Sequence, residues 1–474
     1  MYDVIIIGCG ITGAAVAYEL SRYKLNILVL EKENDVAKGA TRANSAIIHA
    51  GFDPEEGTLM ARLNVKGAKL AEGLCRNLDV PYEKNGALVL AFNDSEKHSL
   101  EILYNRGKKN GVENLKILDK AEIRDIEPNV SDDVVAALYA PDSAICSPWE
   151  YCLALAETAV RNGAELKLNS RVDKIEKKGD GWQVSAGKET FKARYVINAS
   201  GADAELIHDF ALDHSFEILP NRGQYFLLDK SEGNRVHSTI FRCPGLEGKG
   251  VLVSPTVHGN LIVGPDSKQT EEADVSTARD DLDFIKNKAV RMVPSIDLSE
   301  NIRNFAGCRA RSSKGDFIIE ETKGFIDVAG ICSPGLSAAP AIGKYVVDLI
   351  KNIGFDLKEK ANFINKRKRI RFKELDEASR MKLIAENSAY GRVICRCETI
   401  TEGEIRDVFD SPIPPVSIDG VKRRVGSGMG RCQGGFCSPL VLELLAKELG
   451  VSKDKVVKDS EGSYVLYKEG DLDV

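Results

Sequence analysis

One stretch near the start limits what this chain can fold into more than any other. Tyr2–Ile7 reads YDVIII and runs straight into GCGITG, with glycines at Gly8, Gly10 and Gly13. An apolar run rich in β-branched residues is the pattern of a strand buried on both faces of a parallel sheet. The next stretch, AAVAYELSR, consists of helix formers with apolar residues at helical spacing. Residues 26–30, NILVL, then give a second strand capped by Glu31. Strand, glycine turn, helix and strand make a βαβ unit. Glycines alone would say little, because tight turns need them in any case. Here they follow a strand, open a helix and precede an acid 18 residues after Gly13, which is the arrangement of a dinucleotide site. On that reading Gly8 makes the turn, Gly10 admits a pyrophosphate to the backbone, and Gly13 lets helix and strand pack closely. The helix N-terminus faces the phosphates, and Glu31 accepts from the ribose hydroxyls. A glycine turn in an unrelated α/β fold is the alternative, and the motif alone does not separate FAD from NAD.

At 474 residues and ~150 residues per domain, the prior is about three domains. The middle of the chain alternates turn signals with strand-like runs at residues 87–92, 182–186, 224–228 and 250–253, interrupted by a helical pattern at 149–161. These predict a mixed α+β layer woven into the first domain. From KRKRIRFK at residues 366–373 to Tyr390 the pattern becomes charged and helical, and a connector is expected there.

Lys and Arg total 65 against 71 Asp and Glu, a net charge of -6, so no global basic field exists to hold nucleic acid or an anionic membrane. No uncharged run reaches the ~20 apolar residues of a spanning helix. Asp3 stands where a signal peptide would have a basic region. A cytoplasmic protein without transmembrane segments is therefore expected. Eleven cysteines in a reducing compartment point to metal or redox chemistry more than to disulfides. Four are concentrated near the end. Cys395 and Cys397 are one residue apart, 34 residues follow, and Cys432 and Cys437 have four between them. Two such pairs can wrap one metal centre. Zinc usually takes a wider gap within each pair, and iron-sulfur clusters accept more varied spacing.

Three segments bear on the nucleotide: GATRANSAIIHAG at 39–51, VINASG at 196–201 and VAGICSPGLSAAPAIG at 328–343. They resemble the flavin-contacting segments of the D-amino-acid oxidase-like FAD oxidoreductase family. The likeness continues through NRGQYFLL at 221–228, SPTVHGNLIVGPDS at 254–267 and AGCRARS at 306–312. It implies FAD, held without a covalent link, so Cys308 and Cys332 are not expected to be attachment sites. It also implies cofactor contacts at Gly8, Gly10, Gly13, Glu31, Thr41, Ser45, Gly201, Gly335, Leu336 and Ser337. Within the family the chain is most similar to FAD-dependent glycerol-3-phosphate dehydrogenases of the anaerobic type and to 2-hydroxyglutarate dehydrogenases. Both oxidise a secondary alcohol beside an anionic group. RCETIT, KRRVGSGMGRCQGGFC and PLVLELLAKEL resemble the bacterioferritin-associated ferredoxin-like 2Fe-2S domain, with Cys395, Cys397, Cys432 and Cys437 as ligands. The second pair departs from the small ferredoxin, which has two residues between its cysteines. A structural zinc is the alternative.

Alcohol oxidation needs a base for the hydroxyl proton and an anchor for the anion. His49 suits the first role, since an imidazole titrates near neutral pH and the matching histidine of the family lies by the flavin; a core histidine bonded to backbone is the other reading. His258 comes second among the remaining histidines. Arginine binds carboxylate or phosphate in bidentate fashion. Arg309 and Arg311 occupy the family's GxRxR-like stretch and are the substrate-binding candidates beside His49, with Arg309 preferred; a structural ion pair is the alternative for either. Arg222 is a weaker candidate.

The expected fold is α/β. A discontinuous Rossmann-like FAD-binding domain takes 1–85, 145–215 and 305–355, and an interwoven α+β substrate domain takes 86–144 and 216–304. A linker spans 356–390, and a small, mostly helical cysteine-cluster domain spans 391–474. The expected activity is oxidation of sn-glycerol-3-phosphate to dihydroxyacetone phosphate, with electrons leaving through a 2Fe-2S cluster to a redox partner protein. The alternatives are 2-hydroxyglutarate, an amine or amino acid on the same scaffold, and a non-catalytic iron-sulfur adaptor in which FAD is structural.

Overall fold

The computed structural model describes residues 1–244 and 250–467. Residues 245–249 of the expected substrate domain and 468–474 of the expected cysteine domain lie outside that range. The opening motif folds as its pattern predicts: β1 (Tyr2–Ile7), α1 (Ile11–Leu20) and β2 (Ile27–Leu30). β1 lies parallel to β2 on one side and to the strand Glu189–Asn198 on the other. Phe325–Ala329 and Glu165–Lys167 extend the parallel layer, while Val172–Lys178 and Gly181–Ala186 add an antiparallel flap. Val4, Ile5 and Ile6 have no exposed surface, because both faces of the layer are covered. α1 is clamped between the helices Pro148–Arg161 and Gly335–Asn352, which explains why nine of its ten residues are buried.

Among the described residues, a second sheet of nine strands carries the other large layer. Its longest pairing is antiparallel, between Ile218–Leu228 and Asn301–Ser312, running from Ile218 opposite Ser312 to Leu228 opposite Asn301. The expected boundary at 304/305 therefore falls inside a strand, because pairing with Ile218–Leu228 runs on both sides of it in the second sheet. In the C-terminal region, expected to be mostly helical, helices are the main regular element but hold less than half of the described residues: Glu402–Asp407, Ile418–Val425 and Ser438–Leu449 stand around a two-stranded ribbon, Val393–Cys395 with Ile400–Thr401.

The connector differs from its expected helical form. The helix is confined to Glu377–Glu386, and KRKRIRFK is not part of it. Every second residue from Arg367 to Arg371 is an arginine that turns inward onto a carboxylate. Arg367 donates to Glu157 (2.7 Å), Arg369 to Glu150 (2.7 Å), and Arg371 to Asp79 (2.8 Å) and Glu150 (3.2 Å). A repeat of two belongs to extended chain, and acids already fixed on a neighbouring helix and turn select that conformation over a solvated helix.

The C-terminal domain is seated by ion pairs. Asp35, 1% exposed, takes Arg423 (2.7 Å) and Arg424 (2.9 Å) on its two oxygens. Asp459 takes Lys38 (2.7 Å), Arg42 (2.6 Å) and Arg423 (2.8 Å). Burial alone would raise the Asp35 carboxyl, yet the two guanidiniums hold it below the ordinary range. Among the described residues no helix is long and apolar enough to cross a membrane.

Candidate flavin and cluster sites

At the mouth of the βαβ unit, Gly8 has φ +96°, and a Cβ on Gly13 would lie 2.0 Å from the Gly8 carbonyl oxygen. No side chain larger than hydrogen fits at Gly13. The N-cap of α1, Gly10, has no side chain to cap the helix; instead Thr41 Oγ1 accepts from the Ile11 N–H (2.9 Å). Glu31 is 7% exposed and accepts from the Cys9 N–H (2.7 Å) and the Glu33 N–H (3.0 Å). Burial pushes its carboxyl up, and these two amides pull against that. Two backbone donors fix the orientation of the carboxylate and leave acceptor capacity for a sugar's hydroxyls. A cradle of backbone amides beside an oriented acid fits the pyrophosphate and ribose of FAD.

The segment from Thr41 to His49 is held at further points along its length. Ser45 Oγ and Tyr225 OH share a hydrogen bond (3.1 Å). The His49 N–H donates to Ser337 Oγ (2.8 Å), at the start of the helix Gly335–Asn352. His49 Nε2 lies 3.5 Å from Ser333 Oγ, and its ring lies 5.8 Å from that of Phe241. The fold thus joins His49 directly to Ser337, while Thr41 serves the start of α1 and Ser45 meets Tyr225. Gly335 and Leu336 lie beside Ser337 in the first turn of the same helix. Gly201 opens a short 3-10 turn against that at Gly39–Thr41.

Two residues near His49 escape a reading of the sequence. Asn64 is fully buried, donates to the His49 carbonyl (3.2 Å), and has an Oδ1 without a partner among the described residues. A buried amide among the inward residues of the amphipathic helix Leu59–Asn77 is the signal that could have marked it. Tyr225 stacks on Phe305 (4.8 Å, 11°), and nothing in its local sequence announces this contact.

The arginines separate. Arg309 stands opposite Asn221 and lies over Gly223. Its guanidinium donates to Asn221 Oδ1 (2.8 Å), the Arg222 carbonyl (3.3 Å) and the Asp266 carbonyl (3.3 Å), all neutral acceptors. Among the described residues no carboxylate pairs with it. Arg311 is exposed further along the same strand, and no bulge turns it away from Arg309. Arg222 is corrected to a structural role: it is 6% exposed, bonds Asp274 and Ser276 (2.9 Å), and pairs with Asp281 (2.8 Å). Cys308 is buried beside Arg309, and burial raises its thiol. His258 stacks on Trp149 (5.8 Å, 11°) and lies 3.9 Å from Glu150, on the side facing the linker arginines.

The four C-terminal thiols fall into two pairs, and among the described residues no three of them converge on one point. Cys397 and Cys432 have their sulfurs 3.7 Å apart, about the separation of two thiolates on one tetrahedral metal with ~2.3 Å bonds. Cys395 and Cys437 hydrogen-bond each other. That bond, opposed by burial and helped by the N–H groups of Gly428 and Glu398, lowers the Cys395 thiol to about 6 and raises that of Cys437. Backbone N–H groups of Phe436 and Gly434 likewise lower Cys432 against the effect of burial. Amides aimed at sulfur favour thiolate, the form that ligates a metal.

Residues 3–349 match the FAD dependent oxidoreductase family DAO, and residues 393–447 match the BFD-like [2Fe-2S] binding domain. Glycerol 3-phosphate dehydrogenase of Caloramator mitchellensis is 50% identical over 471 residues, 98% of each chain. Glycerol 3-phosphate oxidase of Mycoplasma pneumoniae is 35% identical over 77% of this chain and 97% of that one. The FAD-bound structure of L-alpha-glycerophosphate oxidase from the same organism superposes with a TM-score of 0.73 at 34% identity, covering 77% of this chain and 98% of the other. The chain belongs to the FAD dependent oxidoreductase family, with FAD as its flavin, and carries a [2Fe-2S] domain behind the flavoprotein fold.

Proposed function

We propose that the protein is an sn-glycerol-3-phosphate dehydrogenase that forms dihydroxyacetone phosphate, with FAD as hydride acceptor and the [2Fe-2S] site as the exit for electrons to a partner protein. The observation that carries the substrate reading is Arg309, a half-buried guanidinium whose described partners are all neutral oxygens. A cation so placed is matched by an anionic substrate group, and its fork fits phosphate. The identity to a glycerol 3-phosphate dehydrogenase along nearly the whole chain supports the same choice over 2-hydroxyglutarate.

In this reading Arg309 binds and orients the phosphate, with Arg311 at the outer end of the same strand. His49 takes the hydroxyl proton as the carbinol hydrogen leaves; its main chain is fixed by Ser337 and Asn64, so that the ring is held in place. Bound FAD supplies the two-electron acceptor, held by Gly8, Gly10, Gly13, Glu31, Thr41, Ser45, Gly201, Gly335, Leu336 and Ser337. Cys395, Cys397, Cys432 and Cys437 hold the cluster, which supplies one-electron transfer. The division into flavin and substrate domains, ahead of the linker and cluster domains, is supported by the separate pairing of the two large sheets, with Asn301–Ser312 in the substrate layer. A cytoplasmic location is supported by eleven cysteines without a disulfide.

The test is anaerobic mixing of the holoenzyme with sn-glycerol-3-phosphate, each 2-hydroxyglutarate and a panel of amino acids, followed by flavin absorbance. Bleaching by glycerol-3-phosphate at micromolar to millimolar concentration is the expected result. Bleaching by a hydroxy acid or an amine in its place would overturn the substrate, and bleaching by none would favour the adaptor.

A further inference from the structure

The residues between the paired cysteines do more than close loops. Phe436, between Cys432 and Cys437, is 85% exposed, more than any other aromatic side chain among the described residues. Its backbone N–H serves the Cys432 sulfur, which leaves the ring with no packing role. Arg396, between Cys395 and Cys397, is exposed and has no hydrogen bond or ion pair among the described residues. Each therefore stands one residue or one hydrogen bond from the thiols nearest solvent, Cys397 and Cys432.

The surroundings extend both properties. Val393, on the strand that ends at Cys395, is 42% exposed. Ile394 and Leu440 line a groove of about 220 Å3 whose rim carries Arg392, Arg406 and Lys447 against Glu402 and Glu443. Glu443 is already held by Lys453 (2.5 Å), and Glu402 is shared by both arginines. Cations are thus in surplus here, in a chain whose net charge is -6.

We propose that Phe436, Arg396 and this basic rim form the docking surface for an acidic one-electron carrier protein, with the Phe436 ring as its apolar anchor. The proposal rests on the cluster being the electron exit. An exposed aromatic on the same small domain as a surplus of cations is the make-up of a small transient interface, in which the ring gives affinity and the charges give encounter rate. The electron count closes: oxidation of one secondary alcohol to a ketone releases two electrons and two protons, two carriers each take one electron, and the protons pass to solvent.

The experiment uses substrate-reduced holoenzyme in stopped flow against cytochrome b5, an acidic haem protein, and cytochrome c, a basic one. Reduction of the cluster by substrate before any carrier is added reports separately on the underlying reading. Wild type is expected to reduce cytochrome b5 faster than cytochrome c at low ionic strength, with the advantage falling as salt rises. Arg396→Glu should lower the second-order rate constant for cytochrome b5 about tenfold, and Phe436→Ser should raise the half-saturating concentration of carrier by a similar factor. Turnover with a small neutral quinone should stay unchanged in both variants. Preference for the basic protein, or wild-type behaviour of both variants with cytochrome b5, overturns the proposal. So does a wild-type dimer in sedimentation that Phe436→Ser dissolves, which would assign the surface to a second copy of the chain.

Discussion

Asp35 offers a direct measure of how firmly the cluster domain is held. In Asp35→Asn the side chain keeps its shape and loses its charge. Arg423 retains Asp459 at 2.8 Å. Arg424, 2% exposed, is left with neutral acceptors alone, the carbonyls of Ile413 and Gly420 and the amide oxygen of the new side chain. Removing one partner of a buried pair costs ~3–5 kcal/mol because the remaining charge stays desolvated. One guanidinium in two is abandoned, so the lower end, about 3 kcal/mol, is expected for docking. Urea titration of the full chain, followed with limited proteolysis of the connector, reads this as an earlier C-terminal transition and faster cleavage. Glu113→Gln, which breaks the exposed pair with Lys69, should leave that transition in place. The pH dependence has a definite sign. Because the folded Asp35 carboxyl lies below its ordinary value, the stabilisation is fully present above the unfolded value of ~3.9 and is lost as pH falls through the folded one. The gap between wild type and variant should therefore be constant from pH 8 to pH 5 and close only in acid. A gap below about 1 kcal/mol at pH 7, in the range of an exposed pair, or one that fades between pH 8 and 6, refutes the reasoning.

The other expectations concern the two redox sites. His49→Asn should slow flavin reduction by ~10²-fold or more with FAD content unchanged, the usual worth of a general base; a wild-type rate in rapid mixing would make His49 structural. Arg309→Ala should raise the glycerol-3-phosphate concentration for half-maximal bleaching by roughly tenfold or more while sparing uncharged alcohols, since a bond to a charged group is worth ~1.5–3 kcal/mol. Gly13→Ala should yield protein without flavin, or none that folds, because its methyl would lie 2.0 Å from a carbonyl oxygen; a normal flavin spectrum contradicts the cradle. Cys397→Ser and Cys432→Ser should lose the cluster's visible absorbance and reduced-state paramagnetic signal, whereas Cys75→Ser, fully buried and far along the chain, should keep both.

What the sequence revealed was local. Strand, glycine turn, helix and Glu31 lie within thirty-one residues, so period and spacing carry the unit whole. The roles from Thr41 to Ser337 were legible only by likeness to a family, because the contact between His49 and Ser337 joins residues 288 positions apart. Arg222 could be taken for a substrate anchor since the acids that hold it, Asp274 and Asp281, come more than fifty residues later. Asp35 drew no attention because its arginines are 388 and 389 residues on. The connector was misread for the same reason: a run of arginines looks solvated until Glu150 and Glu157 are set beside it.

That connector also bears on how the enzyme keeps time. A carrier domain on a slack tether works as a shuttle, visiting one site and then another, and its turnover feels the viscosity of the medium. Here three arginines fasten the strap along its path, and the module it leads to is bolted at Asp35. Such a module does not commute. The interval between the flavin and cluster sites is set once, at folding, and in the proposed relay the part that travels is the redox partner.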